Sequence, residues 1–371
     1  MLLLFGGALA VLLLYALLLS WGWRRARRET PALDANDLPA LSVVVAARNE
    51  ADVLPSLFEA LDEQSHPSYE VVIVNDASTD DTSALAADWA ANRSWAQVVH
   101  VEDPSPPRKK HALTQGIAAA QHDLLAFTDA DCTPPPNWLS DLAAAHAATD
   151  DDCVLVGYSP LRGTGLLGYF ARYETLLHAL YMVAAIGWHR PYMAVGRNLS
   201  YPRSVFEAVD GFSHAGGGQA SMSGDDDLFV QAVHRQDCAP VRALLAPSTF
   251  VPTSAPPSWQ SWWRARRRHV SAGRHYSWTV GLHLTLLHTS LVLLWIAPLM
   301  LGTLGVGLLA TSLLARHAPL GLAAETLDEN DLLPLFPLWE FGYALYHATV
   351  VPLGLFSPPD HWDEPERPTQ D

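Results

Sequence analysis

The sequence predicts an α/β domain on a mostly parallel, doubly wound sheet, set between apolar segments of membrane length. Strand-like runs at Leu41–Ala46, Tyr69–Asn75, Ala96–Val101 and Asp123–Thr128 alternate with helical spacing, the pattern of parallel strands joined by crossover helices. Three of those strands end in polar residues: Arg48, Asn49 and Glu50; Asp76 and Ser78; Asp129 and Asp131. Apolar runs flank the whole at 2–20 and again at 279–300 and 301–315, and runs of that kind read as membrane segments.

In chain order, residues 1–21 read as an N-terminal membrane anchor. Trp21, Trp23, Arg24, Arg25, Arg27 and Arg28 come at its end, aromatics at the interface and cations beyond, which predicts that the next segment lies in the cytoplasm. A cleaved signal peptide would carry its positive charge before the apolar run. Residues 37–258 then read as one soluble domain. Ala51–Gln64 places Val53, Leu54, Leu57, Phe58 and Leu61 at helical spacing, and the polar turn Asp76–Thr82 is suited to cap the following helix. His111–Gln121 is the next helix, and Asp123–Thr128 the strand that stops at Asp129-Ala-Asp131. Residues 259–278 are expected to form an amphipathic interfacial helix, its tryptophans on one side and arginines around the rest. Residues 279–356 are expected to be membrane segments, a hairpin with Arg316 at its cytoplasmic return and then Leu332–Phe356, which spans, re-enters or lies in the interface. An acidic tail, 357–371, closes the chain.

With 371 residues, 49% of them hydrophobic, the chain has enough apolar surface for a sizeable core. The net charge of −16 argues against nucleic acid as a partner. Cys132, Cys153 and Cys238 are widely spaced and show no disulfide or metal-ligand pattern, as fits a reducing compartment. Gly163-Thr-Gly165-Leu-Leu-Gly168 matches a dinucleotide fingerprint, but Pro160 and Arg162 separate it from its strand and no acidic residue stands at the required distance beyond it. Those glycines are expected to be a loop entering the apolar helix Leu166–Ile186.

In an open α/β sheet ligands bind at the carboxyl ends of the strands. A D-x-D there presents oxygen ligands to a hard cation, and Mg²⁺ typically uses one or two carboxylates plus the phosphates of its substrate. Three polar strand exits at one edge are the makings of a nucleotide crevice. Further on, Ser223-Gly-Asp225-Asp226-Asp227-Leu228 opens a helical stretch. Three adjacent aspartates repel one another, which predicts a raised carboxyl pKa of the kind that suits a general base.

The stretches around Arg48-Asn49-Glu50, Asp76-Ala-Ser78-Thr-Asp80-Asp81-Thr82 and Asp129-Ala-Asp131, with Val195-Gly-Arg-Asn198-Leu-Ser-Tyr201 and Phe206-Glu-x-x-Asp210-Gly-Phe212, resemble membrane-associated family 2 glycosyltransferases of the GT-A fold. The likeness runs from about Leu41 to Tyr276. It implies a Rossmann-like GT-A domain, a nucleotide-diphosphate sugar (a UDP-sugar or GDP-sugar) as donor, Mg²⁺ or Mn²⁺ as cofactor, and inversion at the anomeric carbon. Carried onto this chain, Asp76 would contact the base, with Arg48, Glu50 and Ser78 beside it. Asp129 would serve ribose and metal, Asp131 the metal, and Lys109 or Lys110 the donor. Asn198 falls in the acceptor-side segment. Arg268 stands in a variant of the family's Q-x-x-R-W element and would meet phosphate. An inverting transfer needs a carboxylate to take the proton of the attacking hydroxyl. Aligning the acidic motif on its glycine makes that Asp226, and aligning it on Leu228 makes it Asp225.

The expected function is transfer of one sugar to a lipid-linked or membrane-embedded acceptor on the cytoplasmic face of the inner membrane. The alternatives are a processive polysaccharide synthase and a non-catalytic GT-A-like binding subunit.

Overall fold

A computed structural model describes residues 1–35, 37–149, 151–212, 221 and 223–356; the acidic tail at 357–371 lies outside them. The chain opens with α1 (Leu2–Arg28), and the domain after it is built on a seven-stranded sheet. In sequence its strands are β1 (Leu41–Ala47), β2 (Tyr69–Asn75), β3 (Ala96–His100), β4 (Leu124–Phe127), β5 (Val154–Gly157), β7 (Leu199–Pro202) and β8 (Val241–Leu244); β6 (Leu161–Arg162) and β9 (Thr253–Ser254) pair separately. The spatial order is β3-β2-β1-β4-β7-β5-β8. Every pairing is parallel except those of β7, which runs antiparallel to β4 and β5.

The sheet is apolar on both faces, as a sheet covered by crossover helices must be. Val44, Val72, Val74, Leu125 and Phe127 face one core and Val43, Val45, Val71 and Ile73 the other. The crossover helices are α2 (Leu54–Asp62), α3 (Thr82–Ala91), α4 (Arg108–Ala119) and α5 (Trp138–Ala147). α2 begins at Leu54, later than its apolar spacing suggests, because Pro55 occupies the first turn, where its missing N–H costs nothing. α4 begins earlier, directly after Pro107, so that Lys109 and Lys110 lie in its first turn.

The glycines at 163–168 lead into α6 (Gly165–Gly187) as a tightly packed loop: a Cβ on Gly163 would lie 2.5 Å from the Ala255 side chain. α6 also packs closely against α1. A Cβ on Gly187 would come within 1.9 Å of the Gly22 carbonyl oxygen of α1. Gly187→Ala should therefore force the two helices apart, a cost of about 1–3 kcal/mol typical of overpacking, read as a lower melting temperature in detergent.

The remaining helices are α7 (Arg203–Ala208), α8 (Asp227–Gln236), α9 (Trp259–Ala272), α10 (Trp278–Leu301), α11 (Thr303–Leu327) and α12 (Phe336–Phe356). Among the described residues, α1, α10 and α11 are long and apolar enough to cross a membrane. α11 runs on through Arg316, which lies within the helix and pairs with the buried Glu340 of α12. Beyond α11 the chain returns to the domain: Arg172 of α6 holds Glu329 at 2.6 Å and Asp331 at 2.7 Å, and the Tyr158 hydroxyl donates to Glu329 at 3.0 Å.

Candidate active site

β1, β2 and β4 are parallel and in register, with Ala47 opposite Asn75 and Val44 opposite Phe127, so their polar exits emerge at one edge. The first two exits are knitted together. Asn49 N–H donates to Ser78 Oγ at 3.1 Å, Thr79 N–H to Asn49 Oδ1 at 2.8 Å, and Glu50 N–H to Thr82 Oγ1 at 2.8 Å. Ser78 and the Glu50 backbone are thus part of the turn that shapes the crevice, with Arg48 half-buried beside them. Between Asp76 and Ser78, Ala77 holds a φ of 47°, a left-handed conformation that costs an L-residue about 1–2 kcal/mol. The hydrogen bonds around it maintain that geometry.

Asp76 is buried, and its carboxylate is already engaged. Arg108 donates from Nε to Oδ2 at 2.9 Å and from Nη2 to Oδ1 at 3.2 Å. Sequence reasoning missed this pairing, since the two residues lie 32 positions apart.

The fourth strand delivers the D-x-D. Asp129 is half-buried and Asp131 exposed. Of the two candidate lysines, Lys109 reaches the first of them: its Nζ lies 3.0 Å from Asp129 Oδ1, and 3.1 Å from Asp225 Oδ2. Lys110 is buried and donates to the Ser221 carbonyl at 3.2 Å. Burial alone would push the Asp129 carboxyl up, but the Lys109 ammonium, with Arg197 and Arg268 farther off, outweighs it and holds the group below its ordinary range. Burial disfavours the Lys109 ammonium, but Asp129, Asp225 and Asp226 more than offset that and raise its pKa. Arg268, on α9, feels the charges of Asp129 and Asp225; burial dominates and lowers its pKa.

The three aspartates of the acidic turn differ in what holds them. Asp226 caps α8: Oδ1 accepts the Asp227 N–H at 2.7 Å and Oδ2 the Gly196 N–H at 3.0 Å. Asp227 accepts the Ala194 N–H at 2.9 Å and the Tyr276 hydroxyl, just before α10. Burial, then the neighbouring aspartates, raise the pKa of both. Asp225 alone of the three turns toward the D-x-D, through Lys109.

Asn198, expected in the substrate-binding set, sits inside the domain just before β7. Its side chain is fully buried, accepting from Trp138 Nε1 at 3.0 Å and donating to the Tyr158 and Thr249 carbonyls at 2.8 and 2.7 Å. All of its amide groups are used to brace β5 and β7, and a Cβ on Gly157 would lie 2.2 Å from its Nδ2.

α9 also departs from a purely interfacial helix. Trp262 is buried between α6 and α12, donating from Nε1 to Glu174 Oε2 at 3.0 Å, and Arg266 donates to the same oxygen at 2.7 Å. That anchorage presents the opposite side of α9, with Arg268, to the carboxylates.

Two carboxylates of a D-x-D, one exposed, fit a hard divalent cation completed by substrate phosphate. Among the described residues no three His, Cys, Asp or Glu side chains form a self-sufficient cation cage, and that chemistry asks for none.

Known proteins resemble the chain over this architecture. Residues 42–199 match the sequence profile described as glycosyl transferase family 2. "Probable glycosyltransferase YdaM" of Bacillus subtilis is 25% identical over 279 residues, 71% of this chain and 64% of that protein. The 4,4'-diaponeurosporenoate glycosyltransferase of Staphylococcus aureus is 34% identical over 113 residues, 30% of this chain and 28% of its own length. The chain thus spans less than two thirds of either relative. Among solved structures, the mannosyltransferase PcManGT from Pyrobaculum calidifontis, in complex with GDP-Man and Mn²⁺, superposes with a TM-score of 0.54 at 20% identity, covering 95% of each chain. Sheet order, strand-end carboxylates and profile agree: residues 42–199 are similar to glycosyl transferase family 2, and the domain they belong to has a GT-A fold.

Proposed function

We propose that the chain is an inverting glycosyltransferase that takes a sugar from a UDP- or GDP-linked donor and passes it to a lipid-linked or otherwise membrane-embedded acceptor. The observation that carries this reading is the shared ammonium. Lys109 holds Asp129, on the donor side, and Asp225, on the acidic turn, each about one hydrogen bond away. Asp225 is the base. The acceptor hydroxyl oxygen forms the new bond to the anomeric carbon, the bond from that carbon to the diphosphate breaks, and the hydroxyl proton passes to the Asp225 carboxylate. Asp226 and Asp227 hold the turn in place. Lys109 and Arg268 supply positive charge to the departing diphosphate. Asp129 and Asp131 would hold Mg²⁺ or Mn²⁺, which when bound neutralises diphosphate charge.

The acceptor side is argued from where the acidic turn is tied. Asp227 is bonded to Tyr276, two residues before the apolar helix α10 begins, so a hydroxyl presented at the bilayer surface has a short path to Asp225. The arginines that end α1 and the return of α11 to the domain both support a cytoplasm-facing site on a multi-pass protein in the inner membrane.

Purified protein in detergent, with Mg²⁺ or Mn²⁺, a panel of nucleotide sugars and a lipid extract, should release nucleoside diphosphate from one donor class. Asp131→Ala should remove that release while the protein remains folded and membrane-associated. Full release from Asp131→Ala would sink the metal assignment, and no release from any donor with folded protein would favour a binding subunit.

A further inference from the structure

The Lys109 ammonium stands where the donor-side and acceptor-side carboxylates meet, 3.0 Å from Asp129 and 3.1 Å from Asp225. The other half of the D-x-D is differently placed: Asp131 is exposed, and among the described residues its carboxylate meets only the Cys132 thiol, at 3.6 Å. One carboxylate of the pair is thus open to solvent and the other already carries a cation. A divalent ion held by Asp129 would share that carboxylate with the ammonium, and like charges in a partly buried site repel strongly. Arg197 and Arg268 add positive charge near Asp129. A compact ammonium on a flexible four-carbon stem is able to move, and the Lys109 side chain remains 26% exposed. A diphosphate entering the crevice offers it a more highly charged partner than either aspartate.

We propose that Lys109 is a resident counter-cation, which keeps a divalent ion off Asp129 until the diphosphate of a donor draws the ammonium away. This rests on the reading of Asp129 and Asp131 as the metal-holding pair and adds an order to it. Metal and donor then bind cooperatively, each strengthening the other by the same factor, and Asp225 is released from its ion pair only when a donor is present.

The test is Mn²⁺ binding to the full-length chain in detergent without nucleotide, followed by the paramagnetic resonance signal of free Mn²⁺. Lys109→Met should bind Mn²⁺ about tenfold or more tightly than wild type, the scale expected for removing an adjacent unit charge. Net charge alone would give part of that gain. The double variant Lys109→Met with Asp225→Asn restores the wild-type local charge while leaving Asp129 without its ammonium, and it should still bind Mn²⁺ several-fold more tightly than wild type. Adding Asp131→Ala should cancel the gain. If Lys109→Met alone fails to fold because Asp129 and Asp225 then face each other unscreened, the double variant relieves that repulsion and carries the test. Mn²⁺ affinity in the double variant equal to or below wild type overturns the proposal, as does an absence of binding in every variant. Glycosyl transfer is scored separately. Loss of transfer with the Mn²⁺ pattern intact rejects the transfer reading alone, and active transfer without that pattern rejects the counter-cation alone.

Discussion

Asp225→Asn is expected to lower turnover about 10²–10⁴-fold, the range for removing a positioned general base, with nucleotide-diphosphate binding retained. The substitution keeps the size of the side chain but removes its capacity to take a proton. Asp226→Asn should behave differently. Asp226 spends its oxygens on the Asp227 and Gly196 N–H groups; an amide keeps one acceptor but turns an NH2 toward the other N–H, so the substitution leaves a backbone donor unsatisfied at a cost of about 1–3 kcal/mol and lowers the melting temperature. Measuring turnover, nucleotide affinity and melting temperature in both variants separates the roles. Full turnover in Asp225→Asn, or a greater turnover loss in Asp226→Asn at unchanged stability, would reassign the base.

Arg266→Ala should cause the largest loss of stability, about 3–5 kcal/mol, the usual result of leaving one partner of a buried ion pair behind. Glu174 is completely buried on α6, and its Oε2 accepts from both Arg266 and Trp262. Burial raises the Glu174 carboxyl above its ordinary value, and those two donors only partly offset it. The folded protein therefore binds this proton more readily than the unfolded chain. The stability it contributes is fully present below the unfolded pKa and is lost as pH rises through the raised value. Without Arg266 that loss steepens, so the variant should be closest to wild type in acid and furthest from it at neutral pH. Replacing both residues by leucine should recover much of the stability, since an apolar pair of similar volume needs no desolvation of charge. Thermal melts of the wild type and the two variants across pH 5 to 8 check this, and a flat pH response in Arg266→Ala would count against a charged Glu174.

The sheet, and the edge at which its polar strand exits gather, were legible because they depend on local periodicity and on the residues that terminate each strand. Valine-rich runs ending in polar residues fix the direction of β1, β2 and β4, and that placed Arg48, Asp76 and Asp129 at one edge. The distinction between Asp225 and Asp226 was not legible, because it turns on which way each side chain leaves one turn. The Gly196 amide that occupies Asp226 lies 30 residues away. The burial of Asn198 was not legible for a related reason. Its segment reads as polar and family-like, but burial against Trp138 is a tertiary property with no local signature. α9 showed tryptophan and arginine at helical spacing, which suits a membrane interface equally well. The deciding residue, Glu174, is the one carboxylate of the largely apolar helix α6, and a lone carboxylate in such a run is the one signal that would have pointed to a buried partner.

The bond from Tyr276 to Asp227 also bears on how the domain can be handled. Residues 37–258 contain the whole sheet, and a shortened soluble chain ending there is an obvious choice for crystallisation or assay. It would lack Arg268 and Trp262, and it would leave Asp227 without the hydroxyl that satisfies one of its buried oxygens. The acidic turn would then be free to reorganise, in a fragment whose strands and D-x-D remained intact. Such a fragment is expected to be a fair reagent for nucleotide binding and a poor one for transfer, because the last stays of its acidic turn belong to the segment that was cut away.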